Sequence, residues 1–563
     1  MRRAGRFPVF LLTVAALGFL ASCSPDKPAF EGRAAVIGID GADWDLVQRY
    51  IAEGKMPALA RLQREGASGI LESMEPMISP VLWTSLATGL PPEEHGILTF
   101  WRDNRGFATT SDRKGRPLWV RVSEGGGSAG VIGWLISYPA ENIRGYVVSD
   151  RTAVISFLRS TPTDINPKGK THPPELFQEI LPLVVEPSSV KDEEVLSLFA
   201  LGGAPDDSTT WGHLRAIAAQ TRTYEAVALR MLRRESVNLF AVYFQGIDSV
   251  SHLCMEYLPP RLPHVSEEDA ALYGGAIEAF YRHQDAVVGR ILEKLPPDAT
   301  VYVVSDHGFR HSHDRLTLPA SMDEGYADAW HRKEGALFVR GPGVRPGFRI
   351  EGATIYDFAP TVLDQLGLPA SDLPGRALRE IFSDPVGAGE ASEEQALREK
   401  LQSLGYIGAG GEQIAPASNL GLSYARRGEW AKAEELYREA LSENPNDWLT
   451  RRRLGECLIA QERFEEALGQ FEKILGAKPR DTQAALGWAE AASALGRPQE
   501  ARAPLERALE RHAYNPDLYA ALAEVLLALG QEAEAHELAR KALELHPDHA
   551  RAKAALGKMT DEE

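Results

Sequence analysis

The chain has 563 residues, 44% hydrophobic and 25% charged, so it is too long for one core and ordinary enough in composition to predict three or four globular units. A formal net charge of −18 argues against a nucleic-acid polymer as a general partner, because a phosphate backbone needs a basic footprint. A small anionic substrate is still admitted, since bound divalent cations reverse the field inside a pocket. Three scattered cysteines, Cys23, Cys254 and Cys457, are too few for a disulfide framework.

At the N-terminus, Arg2, Arg3 and Arg6 precede an apolar run from Phe7 to Leu20, closed by Leu20-Ala21-Ser22-Cys23. The run is shorter than a membrane-spanning helix, so residues 1–22 read as a signal peptide. Its ending resembles a bacterial lipobox. That resemblance implies acylation of Cys23 and a lipid-anchored protein of the bacterial cell envelope, on its periplasmic or outer-surface side. Residues 23–32 read as a tether.

From Arg33 onward, apolar runs alternate with helical stretches. The runs cover 34–39, 129–134, 239–244, 300–304 and 335–339, and continuous apolar runs mark strands buried on both faces. Helices are predicted from Ala216 to Arg234 and from Tyr273 to Leu295. The pattern predicts an α/β domain over 33–383, with a mainly parallel sheet sandwiched by helices. The long aromatic-rich stretch from about 97 to 235 reads as a cap over the site. Residues 384–414, with Gly408-Ala409-Gly410-Gly411, read as a linker. Beyond it Ala433, Ala467, Ala501 and Ala535 lie 34 residues apart, as do Leu441, Leu475, Leu509 and Leu543, with Pro445, Pro479 and Pro547 in matching phase. A 34-residue period with small residues at a helix crossing and a terminal proline predicts four tetratricopeptide (TPR) repeats over 415–557, an all-α solenoid.

In such sheets the ligand site lies beyond the carboxyl ends of the strands. Four segments place metal-type ligands there or beside a strand: Asp40-Gly41, Asp248 with His252 four residues on, Asp306-His307-Gly308, and His331 just before the last run. Three carboxylates and three imidazoles suit zinc or manganese better than calcium or magnesium. Asp and His four apart share a helical face and can converge on one ion. His311 and His313 compete with His331 for the last place.

This order, with Ala87-Thr88-Gly89-Leu90-Pro91 and His95-Gly96-Ile97, resembles the alkaline phosphatase superfamily in its branch of type I phosphodiesterases and nucleotide pyrophosphatases. The resemblance covers about residues 34–383. It implies two divalent metal ions, zinc with manganese as the alternative: one on Asp40, Asp306 and His307, the other on Asp248, His252 and His331. The family nucleophile, a Thr or Ser nine residues before the Thr of Thr-Gly, falls on Ser79; Thr84 and Ser85 are competitors. A metal-bound serine hydroxyl loses its proton readily enough to attack phosphorus. Val81 and Trp83 break the pattern that a sulfatase needs around its nucleophile. Phe100 stands where nucleotide pyrophosphatases place a phosphate-binding Asn, and Phe donates no hydrogen bond, so Asn104 or Arg102 would supply that contact. The expected activity is hydrolysis of phosphate esters by a membrane-tethered, metal-dependent hydrolase, with the repeats recruiting an unidentified protein partner. A phosphoryl-transferring mutase or transferase is the rival among enzymes, and a scaffold lipoprotein with a vestigial hydrolase domain is the rival of another class.

Overall fold

The five apolar runs fold as strands because each buries alternate residues on two opposite faces. In β1 (Arg33–Ile39), Ala35, Ile37 and Ile39 join one buried cluster while Ala34 and Val36 join the other. The remaining strands are β2 (Ala67–Glu72), β3 (Ala129–Ile132), β4 (Gly145–Val148), β5 (Thr171–His172), β6 (Leu239–Phe244), β7 (Ala299–Val304), β8 (Gly308–Phe309), β9 (His331–Arg332), β10 (Glu334–Arg340) and β11 (Phe348–Thr354). In this computed structural model, the structure describes residues 32–100, 106–154, 166–205, 208–312, 315, 330–383, 416–426, 428–512, 515–546 and 549–560. The segment read as a signal peptide, Cys23, nearly all of the expected tether and the expected 384–414 linker therefore lie outside the described residues.

Nine strands form one sheet in the order β11-β2-β10-β7-β1-β6-β3-β4-β5, and β8 pairs with β9 separately. Five of the eight pairings in the large sheet are parallel; β10 runs antiparallel between β7 and β2, and β5 antiparallel to β4. Helices cover both faces. Trp44–Ala52, Pro57–Glu65, Ser208–Arg234, Gly246–Cys254 and Ala276–Leu292 pack on one side, and Ser79–Thr88, Leu118–Glu124 and Phe358–Gln365 on the other. The mainly parallel sandwiched sheet is thus as the sequence predicts.

The cap expected over 97–235 is corrected in part. β3, β4 and β5 come from that stretch and extend the sheet, and the Ser208–Arg234 helix packs on it. The reason is visible in Ala129-Gly130-Val131-Ile132, which is buried throughout and belongs to the core rather than to a lid.

Among the described residues, the C-terminal part is a run of nine helices from Pro416–Arg426 to Ala550–Thr560, four pairs and a closing helix. Ala433, Ala467, Ala501 and Ala535 are all 0% exposed, the small residues letting paired helices meet. The same period carries a capping device. Asp447, Asp481 and Asn515 each accept a hydrogen bond from the backbone N–H three residues on, at 3.0, 2.9 and 3.1 Å, starting the first helix of successive repeats. Among the described residues no helix is long and apolar enough to cross a membrane.

Candidate functional site

β1, β6 and β7 are neighbours, and each ends in residues that turn toward one another. Asp40 follows β1, the Gly246–Cys254 helix carries Asp248 and His252 just after β6, and Asp306 and His307 follow β7. His331 is brought in by the short β8–β9 pair, in which Phe309 lies opposite it. Gly41, at φ 68°, makes the turn, and a Cβ there would meet the Asp248 Cα at 3.0 Å. All six residues are buried, none more than 6% exposed.

They form two groups whose ligand atoms lie within 4.8 Å of one another: Asp40, Asp306 and His307 in one, Asp248, His252 and His331 in the other. The groups touch. His307 Nε2 is 3.7 Å from Asp248 Oδ1, and the His307 and His331 rings stack with centroids 3.9 Å apart.

The donor chemistry fits divalent cations. Tyr243 Oη donates to Asp40 Oδ2 at 2.5 Å, leaving Oδ1 buried with no partner. Gly41 N–H donates to Asp306 Oδ1 at 3.3 Å, leaving Oδ2 likewise bare. His307 Nδ1 bonds the Gly308 carbonyl at 3.2 Å, which assigns the proton to Nδ1 and leaves Nε2 a lone pair facing Asp40 Oδ1 at 3.3 Å. His331 repeats the arrangement: Nδ1 donates to the Met77 carbonyl at 2.8 Å, and Nε2 faces His252 Nε2 at 3.0 Å. Outer hydrogen bonds of this kind fix ligand tautomers and aim the free atoms inward. Buried acceptors without donors are costly unless a cation satisfies them.

Without a cation the electrostatics conflict. Burial, reinforced by the nearby Asp40 charge, pushes Asp306 well above the usual carboxylate range. Burial opposes charge on His307, yet Asp306 and Asp40 outweigh it and raise the imidazole to about 10. Burial, then the His307 charge, lowers His331 to about 3. Burial would raise Asp248, but His252 and His331 bring it well below its ordinary value. A pair of dications would relieve the carboxylate repulsion that these shifts record.

Ser79 opens the Ser79–Thr88 helix and is 5% exposed; the Met77 carbonyl two residues before it is the one that holds His331. The competing hydroxyls are engaged elsewhere. Thr84 Oγ1 donates to the Pro80 carbonyl at 2.6 Å, and Ser85 Oγ pairs with His95 Nε2 at 3.0 Å. Of the rivals to His331, His311 lies 3.1 Å from Asp43 and outside both groups, and His313 lies outside the described residues. Arg102 and Asn104 also lie outside the described residues. Phe100 and Pro80 line a small cleft, with a cavity volume of about 30 Å³, together with Asp150, Arg151, Gln220 and Tyr243. Sequence reasoning did not identify Tyr243, Asp43 or Arg151; Asp43 and Arg151 were signalled only by their positions shortly after strands, and Tyr243 only as a polar-tipped residue within the 239–244 run.

The chain thus joins an α/β sheet, with carboxylate and imidazole donors gathered at its strand ends, to a helical repeat array. A family model of type I phosphodiesterase / nucleotide pyrophosphatase matches residues 34–360, and the chain belongs to that family. Two tetratricopeptide repeat models match residues 418–482 and 492–559. Similar solved structures include a thermophilic TPR protein of Thermus thermophilus, at 23% identity over 25% of this chain and 78% of that one, TM-score 0.23. Another is MamA (41-end) from Desulfovibrio magneticus, at 19% identity over 27% of this chain and 87% of that one, TM-score 0.25. No curated protein matches the chain.

Proposed function

We propose that the chain is a two-metal phosphoric ester hydrolase with Ser79 as its nucleophile. The observation that carries this reading is the pair of facing groups, each with carboxylate and imidazole atoms bare of hydrogen bonds; Ser79 follows by two residues the Met77 carbonyl that holds His331. Asp40, Asp306 and His307 would hold one ion and Asp248, His252 and His331 the other, with zinc or manganese suiting the donors. Such ions supply Lewis acidity at phosphoryl oxygen and lower the pKa of a bound hydroxyl.

The protein's own groups do the rest. The Ser79–Thr88 helix has no side-chain cap, so the positive end of its dipole favours phosphoryl oxygens next to Ser79. Tyr243 and the Met77 carbonyl hold Asp40 and His331 in single orientations. Ser79 Oγ attacks phosphorus, the ester alkoxide leaves, and water hydrolyses the resulting phosphoserine. The aromatic cleft beside Pro80 receives the alcohol portion of the ester. Acylation at Cys23 would anchor the chain in a bacterial envelope, and the TPR array would recruit a protein partner.

The 563-residue chain loaded with Zn²⁺ or Mn²⁺ should cleave bis-p-nitrophenyl phosphate or p-nitrophenyl phosphate. Ser79→Ala should lower kcat by roughly a thousandfold or more with bound metal retained. Absence of both turnover and bound metal would overturn the proposal; unchanged turnover in Ser79→Ala would remove only the nucleophile.

A further inference from the structure

Asp43, three residues beyond Asp40, is fully buried and takes part in no reaction step. Its carboxylate is nevertheless crowded with donors from three of the four segments that deliver ligands, those following β1 and β7 and that of β9. Oδ1 accepts the N–H groups of Asp45 and Leu46 at 3.0 Å, capping the Trp44–Ala52 helix, and lies 3.1 Å from His311 Nε2. Oδ2 accepts the Phe309 N–H at 3.3 Å, two residues after His307, and lies 3.3 Å from Arg332 Nε, next to His331. Arg332 also reaches Asp45 and Glu334, each at 2.8 Å. The fit against the Asp306-His307-Gly308 turn is close: a Cβ on Gly308 would lie 2.3 Å from Asp43 Oδ2.

Asp43, Asp45 and His311 themselves form a group whose ligand atoms lie within 4.8 Å of one another, the composition of a third cation site. Arg332 already stands in it, with its guanidinium 3.3 Å from both His311 and Asp43. A dication would have to share the carboxylate with that fixed charge.

We infer that Asp43, clamped by Arg332 and His311, is a positioning residue that registers the β1, β7 and β9 ends against one another and thereby sets the affinity of the metal centre. The inference rests on the two-metal reading above. One carboxylate joins the loops of Asp40, Asp306-His307 and His331, so it couples ligands of both groups. Loss of such outer support costs a metal site about 10- to 100-fold in affinity.

The test is chelator competition with Zn²⁺ on the 563-residue chain, alongside Asp43→Asn and, as a milder variant on the half-buried side, His311→Gln. Asn retains an acceptor for the helix cap but removes the charge facing Arg332. Wild type should bind two ions, and both variants should still bind two, with affinity weakened about 10- to 100-fold in Asp43→Asn and less in His311→Gln. Saturating Zn²⁺ should restore kcat in both. A merely structural role would lower thermal stability and leave the affinity of folded protein unchanged, overturning the inference. Three ions in wild type, falling to two in His311→Gln, would overturn it in favour of a third cation site. Wild type that binds no metal would overturn the two-metal reading and this inference with it, whereas two ions held equally tightly by Asp43→Asn would overturn this inference alone.

Discussion

At the residue scale, His95 shows how a motif residue can be structural without touching the reaction. It is fully buried, its Nδ1 accepts the Ile97 N–H at 3.1 Å, and its Nε2 therefore carries the proton toward Ser85 at 3.0 Å. A second proton would put two donors face to face. Burial, aided by the Arg113 charge, lowers its pKa to about 3. The unfolded chain takes up that proton near the ordinary histidine value of about 6.5, so the stabilisation is complete above that pH and is lost as pH falls toward the folded value. His95→Gln keeps a donor toward Ser85 without the titration. Its unfolding free energy should fall less steeply than wild type, by roughly 2 to 3 kcal/mol between about pH 7 and 4.5. Parallel pH profiles from denaturant titration would refute this role for His95.

At the element scale, the distance between Ser79 and the ligand groups depends on how the Ser79–Thr88 helix seats on β1. Gly38 supplies the seat: a Cβ there would lie 2.5 Å from the Trp83 ring. Trp83 is in turn held edge-on by Trp134 and Tyr243, at centroid distances of 5.1 and 4.8 Å, and its carbonyl accepts the Trp134 indole N–H at 3.1 Å. Gly38→Ala should cost about 1 to 3 kcal/mol and lower kcat, because the helix must lift while its neighbours stay packed. Adding Trp83→Phe should recover part of both losses, giving a favourable coupling in a double-mutant cycle. Strict additivity of the two substitutions would count against the seat.

The same scale explains what the sequence made legible. Continuous apolar runs such as 239–244 announce buried strands, and a polar residue at their ends is conspicuous. Asp40, Asp248, Asp306 and His307 could be found that way. His331 could be placed only by order, since its position depends on a two-residue strand opposite Phe309 that carries no periodic signal. The engagement of Ser85 by His95, and the contact between Asp43 and Arg332 from opposite ends of the domain's chain, are products of packing that no local pattern encodes. The cap was over-read for the opposite reason: aromatic richness from 97 to 235 hid short core strands such as Gly145–Val148.

At the scale of the whole molecule, the described buried clusters fall either in the hydrolase domain or in the repeats, with none shared between them. Arg426 of the first repeat helix forms an ion pair with Glu75, in the loop before Ser79, and the arginine is 40% exposed. The glutamate side chain is only 12% exposed, so desolvation offsets much of the attraction and one such pair is too weak to make two cores unfold as one. Metal binding stabilises only the unit that contains the site, by about 4 kcal/mol at a thousandfold excess over Kd. Calorimetry of the Zn²⁺-loaded chain should therefore show two transitions. EDTA should lower the one belonging to the hydrolase domain by on the order of 10 °C and leave the repeat transition in place. A chain truncated after Ser383 should retain the EDTA-sensitive transition and lose the other. If EDTA moved both transitions together, the repeats would be thermodynamically coupled to the metal centre, and occupancy of the TPR groove would then be expected to change metal affinity by the same coupling.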